Sequence, residues 1–479
     1  MSEYSFSRRR DGTYQLDRYE DSSSVLAIPS EYEGRPVTAI GDNAFSWSEN
    51  LREVIIPSTV TQIGEAAFSW CESLTEAVIP DSVKVIGEWA FIGCLSLQSI
   101  CLPDGLRRIN YSTFQSCSSL TDVIIPDSVR IIGPEAFSEC RNLKSVRLSD
   151  SLTSIGDNAF CACESLESVF LPDHLAELGN NVFSGCVSLS SISVSPNHPV
   201  FRDIDGLLIN KKEKTLLFCP YGKTEKVLLI PEGIISIAEE AFSGRNNLTE
   251  IILPESLRII ETKAFYSCRG LTRINLPESI TRIGSSAFHS CSGLLSLSLP
   301  SSLPVIDYSV FYACSALESI TLPDALRIIG PCAFSGCSAL KQISFPEGLI
   351  DIGDSAFEGC RSLTEVVLPE SVECIGEHVF GSCIMLEKVR LSSSLKVIPS
   401  RCFARCEALR SVSLPEGVES IRSEAFDRCI ALSSVLLPVS LSEIDPAAFS
   451  ECRKTILHVR PGSYALDFAK DADFEYSVV

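Results

Sequence analysis

The sequence predicts a repeat solenoid: a curved stack of short coils with a parallel β-sheet on one face and short turns or helical turns on the other. Three observations predict it. A Phe returns every 23 residues from Phe45 to Phe183 and again from Phe242 to Phe449, giving 17 copies. An Ile stands five residues before that Phe in 16 copies and a Leu six after it in 16, with Leu178 and Thr455 the exceptions. A Pro stands twelve after it in 14. Without such repetition, a chain of 479 residues exceeds one compact core and would divide into about three domains.

The unit reads I-G-x-x-A-F-x-x-C-x-x-L-x-x-I-x-L-P-x-x-V. Its L-x-x-I-x-L part alternates with period two and is stopped by a proline, which predicts a short strand. One such unit cannot bury its own apolar face, so neighbours must stack and share an interior. Strands laid side by side at about 4.8 Å give a sheet edge of roughly 80 to 90 Å in an elongated, curved molecule. The Ala before Phe leaves room for a tight helical turn. Gly four before Phe, in 10 copies, reads as a corner with unusual backbone angles, and Asn110, Asp307 and Asp445 at that phase read as left-handed substitutes.

The L-x-x-I-x-L spacing resembles the leucine-rich repeat. The segments IGDNAF (Ile40 to Phe45), IGEAAF (Ile63 to Phe68) and IGDSAF (Ile352 to Phe357), with turns such as IIPDSV (Ile124 to Val129), narrow the match. Together they resemble the BspA-like leucine-rich repeat family over about Gly34 to Pro461. The resemblance implies a leucine-rich-repeat-like fold and an adhesion or interaction role at a surface or in secreted form.

The organisation read from the sequence is an N-terminal capping hairpin at 1–33, turning at Asp11-Gly12, and a first array at 34–195. An inserted β-hairpin island follows at 196–232, then a second array at 233–460 and a C-terminal cap at 461–479 with a short helix around Tyr464 to Lys470 and a final strand. In the island, GLLIN and TLLFC read as a hairpin projecting from the stack, after which KVLLIP rejoins the ladder. It resembles the family's N-x-x-F-x-x-x-D-G-x-L insertion at Asn197, Phe201, Asp205, Gly206 and Leu208, with the spacing before Phe off by one.

Fifteen of the 21 cysteines stand three after the Phe. Parallel side chains in a line, 23 apart, suit neither disulfides nor the converging ligands of zinc, so they read as buried, reduced, small apolar residues and as a sign of a reducing setting. The acidic residues after the closing Pro, Asp81, Asp104, Asp127 and Asp173, form a column that reads as solvated turn chemistry rather than a cation site.

The formal charge of −21 disfavours nucleic acid and anionic lipid and favours basic protein partners. No apolar run approaches the roughly 18 residues of a membrane span. No signal peptide or anchor is read, so the expected location is cytoplasmic as written, and cell surface or secreted if a leader has been removed. The five histidines lie at different phases; His289 near Cys291 lacks an orienting group, and no phosphate-binding or zinc motif occurs, so neither catalysis nor a cofactor or metal is expected.

What varies over the fixed interior is the strand surface. Arg52, Glu53, Glu76, Gln98, Asp122, Lys144, Arg147, Glu167 and Phe170 are the candidate partner-binding residues, on a face read as short, polar and mixed in charge with Phe170 its lone large aromatic. The expectation is a noncatalytic, monomeric scaffold that binds a protein. The alternative is a structural spacer or surface component without a specific ligand.

Overall fold

A computed structural model describes residues 4–19, 23–452 and 454–479. The chain forms two compact units, Met1–Lys223 and Thr224–Val479. Each is a β-solenoid of stacked coils with the 23-residue register of the sequence. In the first, Glu53, Val54 and Ile55 pair in parallel with Glu76, Ala77 and Val78, and those with Ser99, Ile100 and Cys101. In the second, Ser296–Ser298 pairs in parallel with Ser319–Thr321.

Most coils carry more strand than L-x-x-I-x-L foretells, whereas the coil at Leu340–Phe345 forms no strand over that segment. Besides the three-residue strands such as Glu53–Ile55, a second row of two-residue strands covers the x-Ile before the Gly position, as in Gln62–Ile63 and Val85–Ile86. No helix forms in the repeats; among the described residues the helix is Tyr464–Asp471, capped by Ser463 and followed by the strand Glu475–Val478. The reason lies in where the turn's backbone donors point. Ala66 and Phe68 donate to Glu88 O and Ala90 O of the next coil at 2.9 and 2.7 Å, instead of four residues back. The residues two before and two after Phe bend the chain into that ladder in left-handed conformation, as at Ala66 (φ 50°) and Trp70 (φ 57°).

The glycines four before Phe are therefore not the left-handed corners expected, and Asn110, Asp307 and Asp445 do not have positive φ either. Close approach explains them: a Cβ on Gly64 would lie 2.6 Å from Gly41 C and 2.7 Å from Asp42 N of the preceding coil, and one on Gly87 2.5 Å from Gly64 C. Between successive repeat coils, the two-residue ladder breaks at Val85–Ile86 to Arg108–Ile109, at Arg282–Ile283 to Val305–Ile306 and at Cys374–Ile375 to Val397–Ile398. At each break a coil with glycine is followed by one with Asn110, Asp307 or Pro399. Where the ladder holds, the residue at this phase donates to the preceding Ile carbonyl, as Gly87 does to Ile63 O at 2.9 Å. Asn110 substitutes its side-chain amide, donating to Ile86 O at 2.6 Å, and Pro399 has no N–H to give.

The core is a set of columns. Phe45, Phe68, Phe91, Phe114, Phe137, Phe160 and Phe183 stack with ring centroids 4.9 to 6.0 Å apart and planes within 17° of parallel. In the second unit Phe242 to Phe449 stack likewise, at 5.1 to 5.7 Å. At the N-terminal end Tyr4–Arg8 pairs antiparallel with Tyr14–Tyr19, turning at Gly12 (φ 85°), and Tyr19 covers Phe45.

The segment after Phe183 does not project as a hairpin. Phe201–Ile204, Leu207–Asn210 and Thr215–Phe218 form a three-stranded antiparallel meander. Its Phe201, Leu207, Leu208, Ile209 and Leu216 are buried, and Phe218 packs on Phe183 at 6.1 Å as the next ring of the column. His198 is fully buried beneath it: its Nδ1 accepts from Val200 and Phe201 N–H at 3.1 and 3.0 Å, so Nε2 carries the proton and donates to Pro172 O at 3.0 Å. Val227–Leu229 then pairs with Glu250–Ile252 in the second unit.

Candidate functional site

The periodic cysteines contribute polar chemistry to the interior. All 15 thiols donate to the Phe carbonyl of the coil before, from Cys71 to Phe45 O at 3.1 Å through Cys452 to Phe426 O at 2.9 Å. They are reduced and buried, as expected, but they also satisfy a buried carbonyl, which an apolar residue of that size cannot do. Burial pushes Cys71, Cys140, Cys314 and Cys383 up to about 12, which holds these thiols protonated and unreactive. Among the described residues no cluster of three or more His, Cys, Asp or Glu is placed to hold a metal ion.

The acidic column after the closing Pro is wired into the stack as well. Glu278, Glu370 and Glu416 accept the backbone N–H of Ser301, Ser393 and Val439, 23 residues on, at 2.8 to 3.1 Å. Side-chain hydrogen bonds from Ser301 and Ser393, joined by these backbone N–H groups, hold the Glu278 and Glu370 carboxyls below their usual value.

All nine candidate partner-binding residues are exposed and lie in the first unit. Glu53 and Glu76 are direct cross-strand partners. Asp122 accepts from the Ser145 hydroxyl on the neighbouring strand, where Arg147 bridges to Asp127 at 3.9 Å. Arg52, Gln98, Lys144 and Glu167 flank the strands at one phase, and Phe170 stands opposite Ser193.

That face is not purely short and polar. Two residues beyond the Glu53 row runs an exposed apolar row, Ile55, Val78, Cys101 and Ile124, at 52, 56 and 63 % exposure for Ile55, Val78 and Ile124. Val-Ile-Ile at 54–56 is three apolar residues in a period-two strand, so its middle member has to face solvent; that was the available signal. The aromatics missing from the strand face lie on the turn side. Trp47 stacks on Trp70 at 5.3 Å in the first unit, and in the second His289 is held between Tyr266 and Tyr312 at 4.7 and 4.6 Å.

Two rows of parallel strands, a Phe column and a 23-residue step define a leucine-rich repeat solenoid. The sequence matches the BspA type leucine rich repeat region (6 copies) over residues 38–133, 107–204, 218–341 and 327–456, and the chain belongs to this family. Among solved structures it is similar to a leucine-rich repeat protein from Bacteroides ovatus, at 31 % identity over 81 % of this chain and 93 % of that one, TM-score 0.55. A leucine rich cell surface protein from Faecalibacterium prausnitzii aligns at 24 % identity, covering 100 % of this chain and 98 % of that one, TM-score 0.46. No curated protein matches the chain. Among the described residues no helix is long and apolar enough to cross a membrane.

Proposed function

We propose that the chain is a noncatalytic, monomeric scaffold whose first unit presents its long-strand face to a protein partner. The supporting observation is that nine varied side chains, Arg52, Glu53, Glu76, Gln98, Asp122, Lys144, Arg147, Glu167 and Phe170, stand exposed on a surface whose interior repeats one pattern coil after coil. Rigid strands fix their spacing before binding, which lowers the ordering cost of a contact. The family's fold supports a scaffold reading, and the −21 charge favours a partner with basic groups. The test is affinity for a purified protein first recovered on the immobilised chain. An Arg147→Glu, Phe170→Ala double variant should lose at least about tenfold in affinity, the scale of one good anchor. Unchanged binding after charge-scrambling every exposed strand residue would instead support the spacer reading.

A further inference from the structure

The Ile55 row and the Glu53 row share one face, and both are unfavourable in the free molecule. Ile55, Val78, Cys101 and Ile124 are exposed on successive coils, with Ile55 opposite Val78 and Val78 opposite Cys101. One step along the same strands, Glu53 faces Glu76 directly, and like charges in that position oppose pairing. Among the described residues neither glutamate has an ion pair, while Arg147 at the far end of the apolar row is already bridged to Asp127. Contiguous exposed apolar side chains rimmed by charge mark interaction surfaces.

The geometry points to a basic amphipathic helix of a protein partner as the occupant, lying along the stacking direction with its apolar stripe on Ile55, Val78, Cys101 and Ile124 and its Lys or Arg stripe over Glu53, Glu76 and Asp122. This rests on the protein-binding reading and names the partner's chemistry. Spacing selects the helix: coils repeat at about 4.8 Å, and the apolar stripe of a helix repeats once per turn at about 5.4 Å, whereas same-side residues of an extended strand fall about 6.6 Å apart. Four coils span about 14 Å, the length of roughly ten helical residues. Charge selects the sign, because two opposed carboxylates gain from a cation between them and an acidic helix would be repelled.

The probe is a synthetic peptide of roughly two heptads with Leu on one face and Lys on the other, beside a version with Glu for Lys. Fluorescence anisotropy with the whole chain should show saturable binding of the Lys peptide that weakens with salt, and none of the Glu peptide. Glu53→Gln with Glu76→Gln should weaken it roughly tenfold and flatten the salt dependence, while raising rather than lowering the thermal midpoint because a repulsion is removed. Ile55→Ser with Val78→Ser should weaken it comparably with the salt dependence intact. Equal binding of the Glu peptide, or variants that bind like the parent, would overturn the proposal. A purified partner lost by Arg147→Glu, Phe170→Ala but retained by both of these double variants would overturn it too, while leaving the protein-binding reading standing.

Discussion

Phe334 is fully buried, with the Phe311 ring 5.3 Å away on one side and the Phe357 ring 5.1 Å away on the other, inclined at 14° and 9°. Replacing it by Ala removes the ring and leaves a void between two coils, which costs about 3 to 5 kcal/mol. Replacing it by Leu keeps most of the apolar volume but removes two ring pairs, each worth about 0.5 to 1.5 kcal/mol beyond area burial, so the cost is about 1 to 3 kcal/mol. The contrast between the two separates stacking from mere burial. Stacked repeats open locally as well as globally, so the assay is native-state hydrogen exchange at the amides of Phe334 and Phe357, which donate to Ala356 O and Val379 O, alongside denaturant unfolding. Both amides should lose protection in the order Ala, Leu, parent. A Leu variant within about 0.5 kcal/mol of the parent would show that the parallel rings add nothing to filling the space.

Other outcomes follow from the same columns. In native protein at pH 8 the exposed Cys101 and Cys374 should react with a thiol reagent while Cys71, Cys140, Cys314 and Cys383, raised by burial to about 12, stay silent, and unfolding should release these four. Asp307→Gly should join Arg282–Ile283 to Val305–Ile306 and slow exchange at residue 307, whereas Gly64→Ala, its Cβ 2.6 Å from Gly41 C, should break an intact ladder and cost about 1 to 3 kcal/mol. Burial holds His198 below its ordinary 6.5, so the neutral ring favours the fold. Its contribution is complete above about pH 6.5 and is lost as pH falls from there through the lowered value; His198→Asn, which keeps an acceptor for the Val200 and Phe201 N–H groups, should flatten stability against pH between 7 and 5.

Much of the fold was legible because the inward residues obey one period. Phe, Ile and Leu each recur at fixed phase, and phase alone tells which side chains meet in the next coil. The two-residue strand row was hidden because x-Ile is too short to alternate. The helical turn was misjudged because local spacing cannot reveal that the donors of Ala66 and Phe68 are taken by the next coil. The glycines four before Phe were read as needing unusual φ, when the demand comes from the neighbouring backbone, a contact between residues 23 apart. The thiol donors to the Phe carbonyls were invisible for the same reason: a Cys reads as small and apolar until its partner is in place. At the candidate face the charged members were legible from their variation, while Ile55, Val78 and Ile124 were passed over because apolar residues in a strand are first assigned to the core.

The 23-residue register within each unit carries both the core columns and the rows proposed to meet a partner. It is tested most directly by bridging engineered thiols at exposed partner positions with a short fluorogenic bis-thiol reagent. In the second unit, Ser296→Cys with Ser319→Cys, which are Cα partners on parallel strands, should bridge rapidly, and Ser296→Cys with Ile320→Cys, one residue out of step and turned inward, should not. Efficient bridging of the second pair in place of the first would contradict the register.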